Sequence, residues 1–181
     1  KLLVGADFTL PDTEATVALV AQNARGYATL CRLLTEAHRN KAKDASTSRG
    51  VLNLHRENLP TEGLLALLAA PYDGPITARV ARLFGGRTYL VAHRHHVPDD
   101  RKREREGVAL SDHFGLPIVA SARPTFHHKD RRRLADVLTC IRLGLTLEDA
   151  RTRLFSNNEA RLRSAAEMRL LFRDRPRWID A

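Results

Sequence analysis

Short apolar runs that alternate with helical periodicity constrain this chain most. Residues 64–69 read Leu-Leu-Ala-Leu-Leu-Ala between Gly63 and Pro71. A run of that length bounded by breakers predicts a buried strand. Residues 2–8, 88–92 and 117–121 read the same way, and 15–21 reads as a strand buried on both faces. Between them fall helical patterns. In 24–38, Tyr27, Leu30, Cys31, Leu34 and His38 recur at three- and four-residue spacing. Residues 76–84 form a short helix ended by Gly85-Gly86, and 99–114 form a highly charged one stopped by Gly115. Residues 130–142 carry Leu134, Val137, Leu138 and Ile141 on one face, and a short helix is expected near 147–154. Ser164-Ala165-Ala166-Glu167 is a capping box that opens a last helix ending near Phe172. Strand followed by helix, repeated, predicts an α/β fold with mainly parallel strands and crossover helices. The 181 residues suit one core, so a single domain over 1–181 is expected. Residues 39–50 read as a mobile loop.

Composition excludes several classes. With 43% hydrophobic and 28% charged residues, the chain is not wholly disordered. No apolar run approaches the length of a membrane span. Two cysteines, Cys31 and Cys140, do not make a disulfide scaffold and favour a reducing compartment. The chain opens on Lys1 and closes on Arg177-Trp178-Ile179-Asp180-Ala181, which reads as a piece of something longer. Thirty Lys plus Arg against 21 Asp plus Glu give a net charge of +9, which favours a polyanionic neighbour.

In an α/β sheet, chemistry gathers at the carboxyl ends of the strands. Asp7 is expected to end the first strand, where a carboxylate can hold a divalent metal. His93, His95 and His96 follow one strand and His127-His128 another, but none of these spacings is a tight ligand motif. Lys129-Asp130-Arg131-Arg132-Arg133 opens a helix, so its cations and free backbone N–H groups suit a phosphate. Arg131, Arg132 and Arg133 are therefore the candidate phosphate or DNA contacts. There is no phosphate-binding glycine loop, no paired-cysteine motif and no nucleophile elbow, and no residue is read as catalytic.

Several segments together carry a resemblance. Val4-Gly5-Ala6-Asp7-Phe8, the helix Gly26-Tyr27-Ala28-Thr29-Leu30-Cys31-Arg32-Leu33-Leu34-Thr35 and the strand Pro117-Ile118-Val119-Ala120-Ser121 are similar to segments of one family. So are Asp136-Val137-Leu138-Thr139-Cys140-Ile141-Arg142 and the run from Leu162-Arg163-Ser164 through Glu167-Met168 to Leu171-Phe172. They resemble, in order, the PHP (polymerase and histidinol phosphatase) domain of bacterial DNA polymerase III alpha subunits. Arg94-His95 with Pro98-Asp99-Asp100, and Arg131-Arg132-Arg133-Leu134 with Leu138-Thr139-Cys140-Ile141-Arg142, resemble its error-prone, ImuC-type branch.

The resemblance implies the later two thirds of a distorted (β/α)₇ barrel whose first strands are missing. It implies a metal site reduced to a vestige at Asp7 and His127, because Thr16 and Thr125 stand where metal-binding members carry ligands and Arg123 brings a positive charge. The chain is then a structural platform within a DNA-directed, error-prone DNA polymerase and is inactive alone. No cofactor is expected in these residues beyond weak Zn²⁺ or Mn²⁺, with Mg²⁺ serving the parent polymerase. The implied partners are DNA, the palm and thumb domains of the same protein, a sliding clamp and accessory translesion proteins, in the bacterial cytoplasm and not at a membrane. Unpaired barrel edges imply a dimer of the piece without physiological meaning. The competing functions are a metal-dependent phosphoesterase or 3′–5′ exonuclease, and a non-catalytic basic module that binds DNA or protein.

Overall fold

The structure is a computed structural model that describes residues 2–10, 13, 15–39, 50–54 and 58–181. The loop read at 39–50 lies outside the described residues, apart from Arg39 and Gly50 at its ends. The chain divides into two compact units, Lys1–Ala92 with Arg103–Val119, and His93–Lys102 with Ala120–Ala181.

Six strands form one sheet: β1 (Gly5–Thr9), β2 (Thr16–Ala21), β3 (Gly50–Val51), β4 (Leu64–Ala69), β5 (Thr88–Ala92) and β6 (Ile118–Ala120), in the order β3-β1-β2-β4-β5-β6. The α/β class is as expected, but the strands are not mainly parallel. β2 runs against both of its neighbours, with Asp7 opposite Ala18 in β1 and Ala18 opposite Leu67 in β4. β1 and β3 are parallel, as are β4 and β5. The reason lies in the connection between β1 and β2. Residues 10–15 are too few for a crossover and allow only an antiparallel return.

β4 and β5 have the boundaries read from the sequence. β2 is packed on one face only: Val17 and Leu19 are buried, while Thr16, Ala18 and Val20 are half-buried. Phe8, Leu64, Leu68 and Leu90 join them, and Leu30, Leu33, Val80 and Phe84 of the helices are buried as well.

Helix α1 (Ala24–Arg39) begins where the Asn23 side chain accepts the Gly26 N–H at 2.9 Å. A Cβ on Gly26 would stand 1.9 Å from the Gly63 carbonyl oxygen, so the helix can approach this turn only as glycine. Helix α2 (Gly74–Phe84) is capped by Asp73, whose carboxylate accepts the Ile76 N–H at 2.9 Å. It carries the chain from β4 to the parallel β5. Helix α3 (Asp100–Phe114) buries only Gly107, which lies against Tyr72; the Tyr72 hydroxyl donates to the Val91 carbonyl at 2.9 Å. β6 joins the edge of β5 through Leu90 N–H to Pro117 O, 2.9 Å.

In the second unit, Phe126 pairs with Arg161 in a single parallel bridge and meets Phe155 edge-on, with ring centroids 5.5 Å apart. Helix α4 (Arg132–Leu143) ends at Gly144 in the left-handed conformation. It does not bury its apolar stripe. Asp136 and Cys140 face inward, while Leu134, Val137, Leu138 and Ile141 are exposed. Asp136 accepts the Phe155 N–H at 3.4 Å, and Cys140 donates to the Thr146 carbonyl at 3.7 Å, so polar contacts set which side faces in. The helix expected near 147–154 is a series of turns with a 3₁₀ turn at Arg151–Arg153. Helix α5 (Ala165–Leu171) has the capping box read from the sequence, with Ser164 and Glu167 exchanging hydrogen bonds.

Candidate functional site

The charged run before α4 shapes a cleft. A 3₁₀ turn (Lys129–Arg131) leads into the helix, whose N-cap, Arg131, offers no side-chain oxygen to the first N–H groups. A cleft of about 660 Å³ opens here, lined by Lys129, Asp130, Arg132, Arg133, Asp136 and Asn158. Of the three candidate arginines, Arg132 and Arg133 line it and Arg131 does not. Lys129 and Arg133 are exposed. Arg132 lies 3.4 Å from the Asp136 carboxylate, so part of its charge is answered within the protein. Asp130 stands 3.2 Å from His128 at the rim. The His128 and Lys129 carbonyls already accept the Arg131 and Arg132 N–H groups, so what the cleft offers an anion is the two exposed cations, Lys129 and Arg133. Asn158 and Asp136 complete the wall. The first gave no local signal, and the second entered only through the motif it shares with the resembled family.

Neither metal candidate lines this cleft. Asp7 does not end its strand. It sits in the middle of β1, exposed, opposite Ala18. It belongs to the first unit and His127, also exposed, to the second. Among the described residues no group of three or more His, Cys, Asp or Glu is arranged to hold a metal ion. Thr16 pairs with Thr9 and Ala69 in the sheet. Arg123 has φ 39°, an uncommon conformation for a residue with a side chain, and its N–H donates to Ser121 Oγ at 3.1 Å.

Of the remaining histidines of the second unit, His95 has its ring against the backbone. The His93 and His95 rings lie 5.0 Å apart, just past the end of β5. His95 Nε2 is 2.8 Å from the Ala122 carbonyl oxygen, and Asn157 Nδ2 donates to the His95 carbonyl at 2.6 Å. The Asp100 carboxylate accepts the N–H groups of His95 and Val97 at 2.9 and 3.2 Å.

Arg94 forms a clamp not visible in the sequence. Its guanidinium donates to the Leu171 carbonyl at 2.7 Å and to both Asp174 oxygens at 2.7 and 2.8 Å. It also stacks 4.6 Å from the Phe172 ring centroid. The Arg94 hydrogen bonds bring the Asp174 carboxyl down to about 2. The Glu167 carboxyl is likewise about 2, chiefly through its hydrogen bond from Arg161 and then through those from Ser164. Arg161 is raised in return by Glu167.

No family model matches the chain. Curated proteins do. The chain is 32% identical to an error-prone DNA polymerase of Bdellovibrio bacteriovorus over 96% of its own length and 16% of that protein's. It is 32% identical to one of Anaeromyxobacter sp. over 99% of its length and 17% of the relative. A third, from Pseudomonas paraeruginosa, is 35% identical over 95% of the chain and 16% of the relative. The chain thus spans about one sixth of the length of the curated relatives it matches. The resemblance to the error-prone branch stands: over nearly all its length, the chain belongs to the error-prone DNA polymerase family.

Proposed function

We propose that these residues are the PHP-type portion of an error-prone, DNA-directed DNA polymerase, where they serve as a structural platform. The observation that carries this reading is similarity to such polymerases over 96% of the chain but only 16% of the relative. On this reading the sheet is the later part of a PHP-type barrel. Primer extension, with its Mg²⁺ and its carboxylates, belongs to other parts of the protein. DNA, the palm and thumb domains, a sliding clamp and translesion proteins are partners of the whole.

On this reading Asp7 and His127 are what remains of the metal ligands of such domains. Thr16 and Thr125 offer no strong ligand, and Arg123 disfavours a nearby cation. The test is the content of tightly bound Zn²⁺ and Mn²⁺ in the full-length natural protein after dialysis against chelator. Fewer than about two ions per chain are expected. Two or more would restore the phosphoesterase or exonuclease reading.

The cleft at the start of α4 favours a second role for the same platform, contact with the DNA backbone through Lys129, Arg132 and Arg133.

A further inference from the structure

The solvent face of α4 is an apolar stripe with a rim of one charge. Leu134, Val137, Leu138 and Ile141 recur at three- and four-residue spacing and are 51%, 42%, 56% and 71% exposed. At 3.6 residues per turn, Arg131 and Arg142 flank the stripe on one side and Arg133 on the other. All three are exposed. The nearby acids are engaged elsewhere: Asp136 is buried near Arg132, and Asp130 lies beside His128. The inward contacts of Asp136 and Cys140 hold the stripe outward.

Three occupants make different use of such a face. A nucleic acid engages the arginines and leaves four large apolar side chains in water. A second copy laid face to face sets arginines against arginines. An amphipathic helix with acidic flanks covers the stripe and answers the rim. The geometry points to the outer face of α4 as the docking surface for an acidic amphipathic helix of a partner protein. This stands whether or not the polymerase reading holds, because it rests on the stripe and its rim alone.

The test measures fluorescence anisotropy of two labelled helical peptides of about 18 residues added to the full-length natural protein, where a face already covered by the rest of the protein gives no binding. Both carry leucines at three- and four-residue spacing. One has glutamates flanking the stripe and the other has lysines. The glutamate peptide is expected to bind about tenfold or more tightly than the lysine peptide. Leu138→Ser with Ile141→Ser should weaken it about tenfold or more. Arg131→Glu with Arg142→Glu should reverse the preference between the peptides, a gain that misfolding cannot produce. Equal affinity for both peptides, no binding, or no reversal overturns the proposal. So does sedimentation showing a dimer that Leu138→Ser with Ile141→Ser dissolves, or duplex DNA binding that the same variant abolishes.

Discussion

Gly26 and Gly63 set the geometry of the first unit at the residue scale. Their backbones touch where a Cβ on Gly26 would stand 1.9 Å from a carbonyl oxygen, and neither backbone yields cheaply. Gly26→Ala should therefore cost about 1–3 kcal/mol in urea unfolding. Gly74, with nothing within 4 Å of its Cβ position, provides the control, and Gly74→Ala should cost little. Equal effects of the two changes would contradict the packing described. In the second unit the decisive residue is Arg94, which holds two carboxylate oxygens, a carbonyl and a ring at once. Lysine cannot reproduce that fork. None of this clamp was legible in the sequence, because Arg94 and Asp174 are 80 residues apart and neither sits in a motif for ion pairing.

At the scale of elements, acid should loosen the segment around α5. The Asp174 and Glu167 carboxyls lie at about 2 in the folded chain, against ordinary values of 3.8 and 4.5. Folded values below the unfolded ones give a stabilisation that is complete above about pH 4.5 and disappears as pH falls towards about 2. Trp178, the single tryptophan, lies 6.2 Å from the Phe172 ring and reports on this segment. Its unfolding midpoint in urea should fall between about pH 5 and pH 2.5, and Arg94→Ala should make that fall shallower. A midpoint independent of pH over this range would contradict the two ion pairs. Ser164→Ala removes the α5 cap and should cost about 1 kcal/mol by the same fluorescence.

Elements were legible where local chemistry decides them. Gly63 and Pro71 bound β4, and Ser164 with Glu167 caps α5. The sheet's mixed sense was less legible, since apolar runs carry no direction. Only the short link across residues 10–15 forces β2 to turn back. Helix α4 shows a further limit. Its stripe has the spacing of a core face, but Asp136 and Cys140 find partners at Phe155 and Thr146 and face inward instead. Periodicity identifies a face without saying what covers it.

For the whole molecule, the proposed role joins a net charge of +9 to the absence of a metal-ligand cluster among the described residues. The candidate site was partly legible: the run from Lys129 to Arg133 marked the cleft, whereas Asn158 and Asp136 reach it only through folding. If the cleft meets the DNA backbone, Lys129→Ala with Arg133→Ala should weaken binding of every duplex sequence alike. The slope of log affinity against log salt should also become shallower, by about one for each phosphate these side chains neutralise. An unchanged slope would remove these residues from any role at the DNA backbone. The central claim is that the chain is a non-polymerising portion of an error-prone DNA polymerase. Its most direct test is primer extension with Mg²⁺, run side by side on the full-length natural protein and on these 181 residues alone. The account predicts extension by the first and none by the second. A full-length protein that leaves the primer unextended, or extension by the 181 residues alone, would contradict it.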